Sequence, residues 1–98
     1  MVAERVVRHP IMERARRAAA SGHCRRETPV ALRQPDGAIV DGVVDLAFLE
    51  NDTWIVVDFK TDRELERGLA VYQRQVGLYA AAIQAATGLK TAPVLMRV

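Results

Sequence analysis

Two aspartates and a lysine carry the chemistry that this 98-residue chain can offer. They lie in the stretch GVVDLAFLENDTWIVVDFK, residues 42–60, with Asp45 in its first apolar run and Asp58 and Lys60 closing its second. Apolar runs flanking Glu50, Asn51, Asp52 and Thr53 have the pattern of a hairpin. Strand side chains alternate, so Asp58 and Lys60 project to one face and Phe59 to the other. A turn centred on Asn51 and Asp52 pairs residues whose numbers total about 103, which sets Asp45 opposite Asp58 with Cβ atoms roughly 5 Å apart. Paired carboxylates repel unless a cation lies between them. Their hard oxygens suit Mg²⁺ or Mn²⁺, and Lys60 can then stabilise developing negative charge or orient a water. The reaction class that uses such a set is metal-assisted phosphodiester hydrolysis.

The elements that must position these groups follow from periodicity and turn signals. Residues 11–20, after Pro10 and before Ser21-Gly22, have the bounds of a short helix, and Met1 to His9 extend or precede it. Residues 27–32 form a first strand, Gln34-Pro35-Asp36-Gly37 a turn, and residues 39–49 and 54–60 the second and third strands of a meander. Thr61 and Asp62 are helix-start signals, but Gly68 interrupts, so the regular helix is expected near Leu69. From there Leu69, Tyr72, Val76, Tyr79 and Ile83 give one apolar face, and Thr87-Gly88 ends it. Residues 92–98 form a last strand, with Pro93 at a start or edge. Gln75 and Tyr79, four apart, share a helix face. Gln75 sits on an otherwise apolar face, where a buried amide needs partners. Phe48 and Trp54 have the character of core residues, and Arg63, Arg74 and Lys90 are candidate phosphate contacts.

Asp45, the series Asp58-Phe59-Lys60-Thr61-Asp62, and then Gln75-Val76-Gly77-Leu78-Tyr79 resemble the RecB-type nuclease of the PD-(D/E)xK superfamily, closest to the C-terminal nuclease of AddA and RecB helicase-nuclease subunits. A "GxxDL…vvDfKTd…Y…Q…Y" series recurs there, and the likeness covers roughly residues 26–98. It implies an α/β, restriction-endonuclease-like αβββαβ core: a mixed sheet with flanking helices. It implies metal ligation by Asp45, Asp58 and the Phe59 carbonyl, catalysis by Asp45, Asp58 and Lys60, and completion of the site by Gln75 and Tyr79. Glu27, in Arg26-Glu27-Thr28-Pro29, matches an acid that recurs at the head of the family's first strand, against a plain role as an edge-strand glutamate. The family's upstream metal-ligating histidine, in a G-x-x-x-H context, matches neither His9 nor His23. The segment bearing it is expected to lie before Met1.

The implied function is a Mg²⁺- or Mn²⁺-dependent DNA exonuclease domain acting in double-strand break repair and recombination, partnered with DNA and with a helicase domain or subunit. The alternative is a catalytically impaired nuclease fold that binds DNA or a partner subunit. As a third reading, the chain is a restriction or CRISPR-associated nuclease. It is either one domain over residues 1–98 or a C-terminal piece of one, with a helical lead-in over 1–25 and the core over 26–98.

Composition sets the outer limits. Half of the residues are hydrophobic, enough for a single core. No apolar run is long enough to cross a bilayer, and the opening segment lacks a signal-peptide core. The expectation is a cytoplasmic, nucleoid-associated protein of bacterial type. The single cysteine, Cys24, excludes an internal disulfide and is expected to be buried or half-buried. Net charge is only +2. Arg5, Arg8, Arg14, Arg16, Arg17, Arg25 and Arg26 nevertheless crowd the first quarter, as either a phosphate-contacting lobe or a solvated helix face. No phosphate-binding loop of an ATP-driven motor is present.

Overall fold

The computed structural model describes residues 10–98; Met1 to His9, with Arg5 and Arg8 of the basic lobe, lie outside the described residues. In chain order the elements are α1 (Pro10–Ala20), β1 (Cys24–Arg33), β2 (Ile39–Glu50), β3 (Thr53–Lys60), α2 (Asp62–Thr87) and β4 (Lys90–Arg97). The strands form one mixed sheet in the order β1-β2-β3-β4, antiparallel except for the parallel β3–β4 pair. This is the α/β, restriction-endonuclease-like architecture with flanking helices that the resemblance implies.

The β2–β3 hairpin is closed by Asn51 and Asp52, both with left-handed backbone (φ 50° and 62°). Two such residues form the tight turn whose twist matches that of paired strands, and Asn and Asp tolerate it better than most. With Glu50 opposite Thr53, the register runs without a slip to Leu46 opposite Val57. Pro93 is accommodated because β4 is an edge strand.

Among the described residues, each face of the sheet carries one helix. On the α1 side Met12 and Ala15 pack with Leu46, Phe48, Ile55, Val57 and Met96. On the α2 side Val76, Tyr79, Ala80 and Ile83 pack with Val44, Ala47 and Val56. Cys24 is half-buried against the α1 layer. Arg14 locks α1 to the end of β2: its guanidinium donates to both Glu50 carboxylate oxygens at 2.6–3.1 Å. Arg16 pairs with Glu13, and Arg25 donates to the Gly22 carbonyl, so this part of the basic cluster is engaged within the fold.

Alternation fails at one place in β2. Val44 belongs to the α2 layer and Leu46 to the α1 layer, although they are two residues apart. Across from Asp45, between the pairs Arg26–Leu46 and Thr28–Val44, Glu27 has a left-handed backbone (φ 48°). Cys24 and Val30, both even-numbered, likewise fall on opposite layers. Both strands therefore turn over at the level of Glu27 and Asp45, which swings the β1–β2 hairpin across α2.

The second helix corrects one expectation. It begins at Asp62, not near Leu69, because Thr61 and Glu64 build a reciprocal cap. The Glu64 amide donates to the Thr61 hydroxyl (3.2 Å), and the Thr61 amide donates to the Glu64 carboxylate (3.1 Å). Gly68 has non-helical backbone (φ −161°, ψ 38°) and interrupts the span as expected, dividing it into a short capped segment and the long regular one that follows. Leu69, just past the kink, is 47 % exposed and leaves the apolar face to Val76, Tyr79, Ala80 and Ile83. At the other end Gly88 caps the helix in the left-handed region, donating to the Gln84 carbonyl. The first strand starts earlier than expected, at Cys24, and the last spans Lys90–Arg97. Phe48 is fully buried, whereas Trp54 is half-buried with its indole Nε1 enclosed and unpartnered.

Candidate active site

β3 is an interior strand, hydrogen-bonded to β2 on one side and β4 on the other, and it delivers Asp58 and Lys60 to the α2 face. Phe59, between them, packs into the α1 layer. β2 delivers Asp45 at the place where the β2–β3 ladder stops. Past Leu46 and Val57 there is no paired backbone, and the Phe59 amide donates instead to Asp45 Oδ2 at 2.8 Å. The two carboxylates thus meet at the end of the hairpin ladder.

Asp58 is 4 % exposed, the one buried charged residue among those described. Burial, and then contact with the Asp45 carboxyl, push its pKa up to about 6, and Lys60 offsets part of this. Lys60 Nζ lies 3.1 Å from Asp58 Oδ2. That approach is an ion-pair contact without hydrogen-bond alignment, since no described donor is directed at Oδ2. For Lys60, burial acts against the charge, but pairing with Asp58 and the fields of Glu64 and Asp45 outweigh it and raise its pKa. The Thr61 amide and hydroxyl hold the Glu64 carboxyl below its ordinary range.

A divalent cation fits this arrangement. A buried carboxylate oxygen with no aligned donor, beside a second carboxylate, is costly as it stands, and a hard cation relieves both the lost solvation and the repulsion. Among the described residues no group of three His, Cys, Asp or Glu side chains comes close enough to hold a metal ion. Glu27, level with Asp45 across β1, is exposed on its left-handed backbone and completes no such group.

The structure separates the remaining candidates. Tyr79 is buried against β2, its ring occupying the space that a side chain at Gly42 would need. Gln75 is half-buried and lines a shallow depression of about 240 Å³ with Val40, Asp41, Arg74 and Tyr79. Both therefore serve the wall between α2 and the first half of β2. Arg63 is exposed in the first turn of α2. Lys90 pairs with Thr53, five residues along β3 from Asp58, or roughly 17 Å at strand rise. It is remote from the carboxylate pair.

Sequence patterns alone do not single out two further residues near the site. Periodicity puts Tyr72 on the apolar face, yet its ring lies under Lys60 Nζ, 4.7 Å from the ring centroid. Glu64 adds negative field at Lys60. The capping pattern Thr61-x-x-Glu64 directly after Lys60 is the signal for the second. For the first, the Y…Q…Y series has an aromatic ahead of the glutamine at the place of Tyr72, but an aromatic about three helical turns on from a cap does not by itself point to the lysine.

Similarity to known proteins converges on the same chemistry. The family model of the PD-(D/E)XK nuclease superfamily matches residues 2–97. An ATP-dependent helicase/nuclease subunit from Carboxydothermus hydrogenoformans is 41 % identical over 66 residues, covering 63 % of this chain and 6 % of the relative. The Clostridium acetobutylicum protein of the same name is 37 % identical over 59 residues, 56 % of this chain and 5 % of the relative. That of Heliobacterium modesticaldum is 31 % identical over an alignment of 107 positions, covering 88 % of this chain and 7 % of the relative. The chain thus spans well under a tenth of the length of the curated relatives it matches. With nearly every residue inside the family match and the aspartates of its signature meeting at one end of a hairpin, this chain belongs to the PD-(D/E)XK nuclease superfamily, in the RecB-type branch that these helicase/nuclease proteins represent.

Proposed function

We propose that the chain is the divalent-metal-dependent nuclease module of a helicase-nuclease, hydrolysing DNA phosphodiesters as an exonuclease during double-strand break repair and recombination. The observation that carries this reading is the buried Asp58 carboxylate, raised to about 6 beside Asp45, with an oxygen to which no donor is aligned. Asp45, Asp58 and the Phe59 carbonyl would hold Mg²⁺ or Mn²⁺. When bound, such an ion supplies positive charge to a scissile phosphate and lowers the pKa of its water.

The chain's own residues do the rest. Asp45 keeps the end of β3 in place through the Phe59 amide. Lys60, whose pKa is raised by its acidic neighbours, stays protonated at neutral pH and is therefore a charge donor, not a general base. Its ammonium meets the negative charge that builds on the phosphate in the transition state. Gln75, Tyr79 and Arg74, on the wall facing the first half of β2, line the approach of the DNA strand, and Arg63 lies at the start of the same helix. A helicase domain or subunit, named in the relatives, would supply the strand.

The test is degradation of single-stranded DNA by the 98-residue chain with Mg²⁺ or Mn²⁺. Activity should appear only with the metal and fall by at least about 100-fold in Asp58→Ala and Lys60→Ala. Cleavage that survives both changes overturns the assignment. Calorimetric titration with Mn²⁺ separates an enzyme from a non-catalytic DNA- or partner-binding module, because only the former has a metal site that Asp45→Ala removes.

A further inference from the structure

Lysine is a poor candidate for fixed placement. Its charge sits at the end of four methylenes, and holding all the rotors costs entropy. Asp58 alone supplies one contact to Lys60, at 3.1 Å and without hydrogen-bond alignment. Glu64 acts on it only through its field, with Oε1 accepting from the Thr61 amide and hydroxyl. A second contact comes from the face of Tyr72, 4.7 Å from Nζ to the ring centroid. That is inside the range over which an aromatic quadrupole attracts an ammonium. Gly68 at the helix kink leaves room beside the ring: a Cβ there would come no closer than 3.5 Å, to Tyr72 Cε2. Tyr72 lies past the Gly68 kink, on the same helical segment as Val76 and Tyr79, so the segment that anchors these two in the core also sets the position of the ring. With the Lys60 side chain 16 % exposed, part of it remains open toward solvent.

We propose that Tyr72 is a positioning residue, whose ring face fixes the Lys60 ammonium beside Asp58 and aims its open side at the substrate phosphate. The inference rests on the nuclease reading for its consequence in turnover, but not for the contact itself. The ring carries the effect; the hydroxyl does not.

The test uses the 98-residue chain with Tyr72→Phe, Tyr72→Leu, and a series of ring-fluorinated phenylalanines at position 72, which weaken the quadrupole at nearly constant shape. With Mn²⁺ and a single-stranded oligonucleotide, Tyr72→Phe should keep kcat within about twofold. Successive fluorines should lower kcat stepwise to about 3- to 10-fold below the Phe variant, with KM unchanged. Tyr72→Leu should lose about 10-fold. Independently of cleavage, the Lys60 Cε protons should show an upfield ring-current shift by NMR in the parent and in Tyr72→Phe, lost in Tyr72→Leu. A flat kcat across the fluorinated series, or no ring-current shift in the parent, overturns the proposal. An inactive parent that shows the shift removes the nuclease reading and leaves the Tyr72–Lys60 placement supported.

Discussion

Asp58→Asn is expected to make the metal-free protein more stable at pH 7.5 while removing its metal-dependent cleavage of DNA. The Asp58 carboxyl is raised from an ordinary 3.8 to about 6, first by burial and then by Asp45. A raised folded-state value means that the neutral form is the one the fold prefers. The stability this group contributes is complete below the unfolded value and is lost as pH rises through about 6. At pH 7.5 the ionised carboxylate therefore costs the metal-free fold about 1–3 kcal/mol. Removing the charge should recover part of that, raising Tm by several degrees. The same reasoning gives the pH dependence. In chelator, the wild type should gain stability between pH 7.5 and 5, whereas Asp58→Asn should lose this gain. Mn²⁺ affinity should fall below about pH 6, where protons compete for the carboxylate. Thermal melts from pH 5 to 8, with and without Mn²⁺, check both. A variant less stable than wild type at pH 7.5 would show that the carboxylate is structurally supported instead of being held for a cation, a stability cost of the kind functional sites commonly carry.

Gly42→Ala should be among the most destabilising single changes on the sheet, although it adds only a methyl group. A Cβ at position 42 would stand 2.7 Å from Cε1 and Cζ of Tyr79, and closer still to its hydroxyl oxygen. Tyr79 cannot step aside easily, because its ring is 8 % exposed and packed with Val44, Val76 and Ala80. Overpacking of this kind costs about 1–3 kcal/mol, read as a lower urea midpoint at constant slope. The cause can be isolated with a double-mutant cycle. If the clash is the reason, Gly42→Ala should cost at least about 1 kcal/mol less on a Tyr79→Ala background than on the wild type. Additive effects would assign the role of Gly42 to backbone freedom alone. Activity should fall along with stability, since Asp45 is only three residues further along the strand.

The parts of this structure legible in the sequence are those set by local rules. Asn51-Asp52 fixes the hairpin turn, and from it the register from Glu50–Thr53 to Leu46–Val57 follows by counting, which leaves Asp45 just past the end of the ladder, accepting from the Phe59 amide. The order of elements follows from periodicity and turn residues. What escapes has a common physical origin in tertiary context. Gly68 does interrupt the helix, but the Thr61–Glu64 cap builds a further short helical segment ahead of it. Leu69 fits the apolar stripe by spacing, yet it is exposed. Tyr72 and Tyr79 are indistinguishable as members of one helix face, yet one lies under the Lys60 ammonium and the other fills the space above Gly42. Glu27, weighed between a family acid and a plain edge-strand glutamate, is exposed on a left-handed backbone. Strand alternation, which serves β3 well, fails at Asp45, where β2 and β1 change faces together.

The position of β3 in the sheet bears on how the site survives thermal fluctuation. Fraying of a sheet starts at its outer edges, and here those edges are β1 and β4. Asp58 and Lys60 lie past the last β2–β3 pair, held in the backbone by β4 alone, and the Val98 amide adds a further tie to the Lys60 carbonyl at 2.9 Å. Asp45 stands on the adjoining strand, beyond the last backbone pair, and follows that segment only through its own side chain. Loss of that one hydrogen bond would therefore part the two acids while β4 still held Asp58, making Asp45 the more easily detached arm of the pincer.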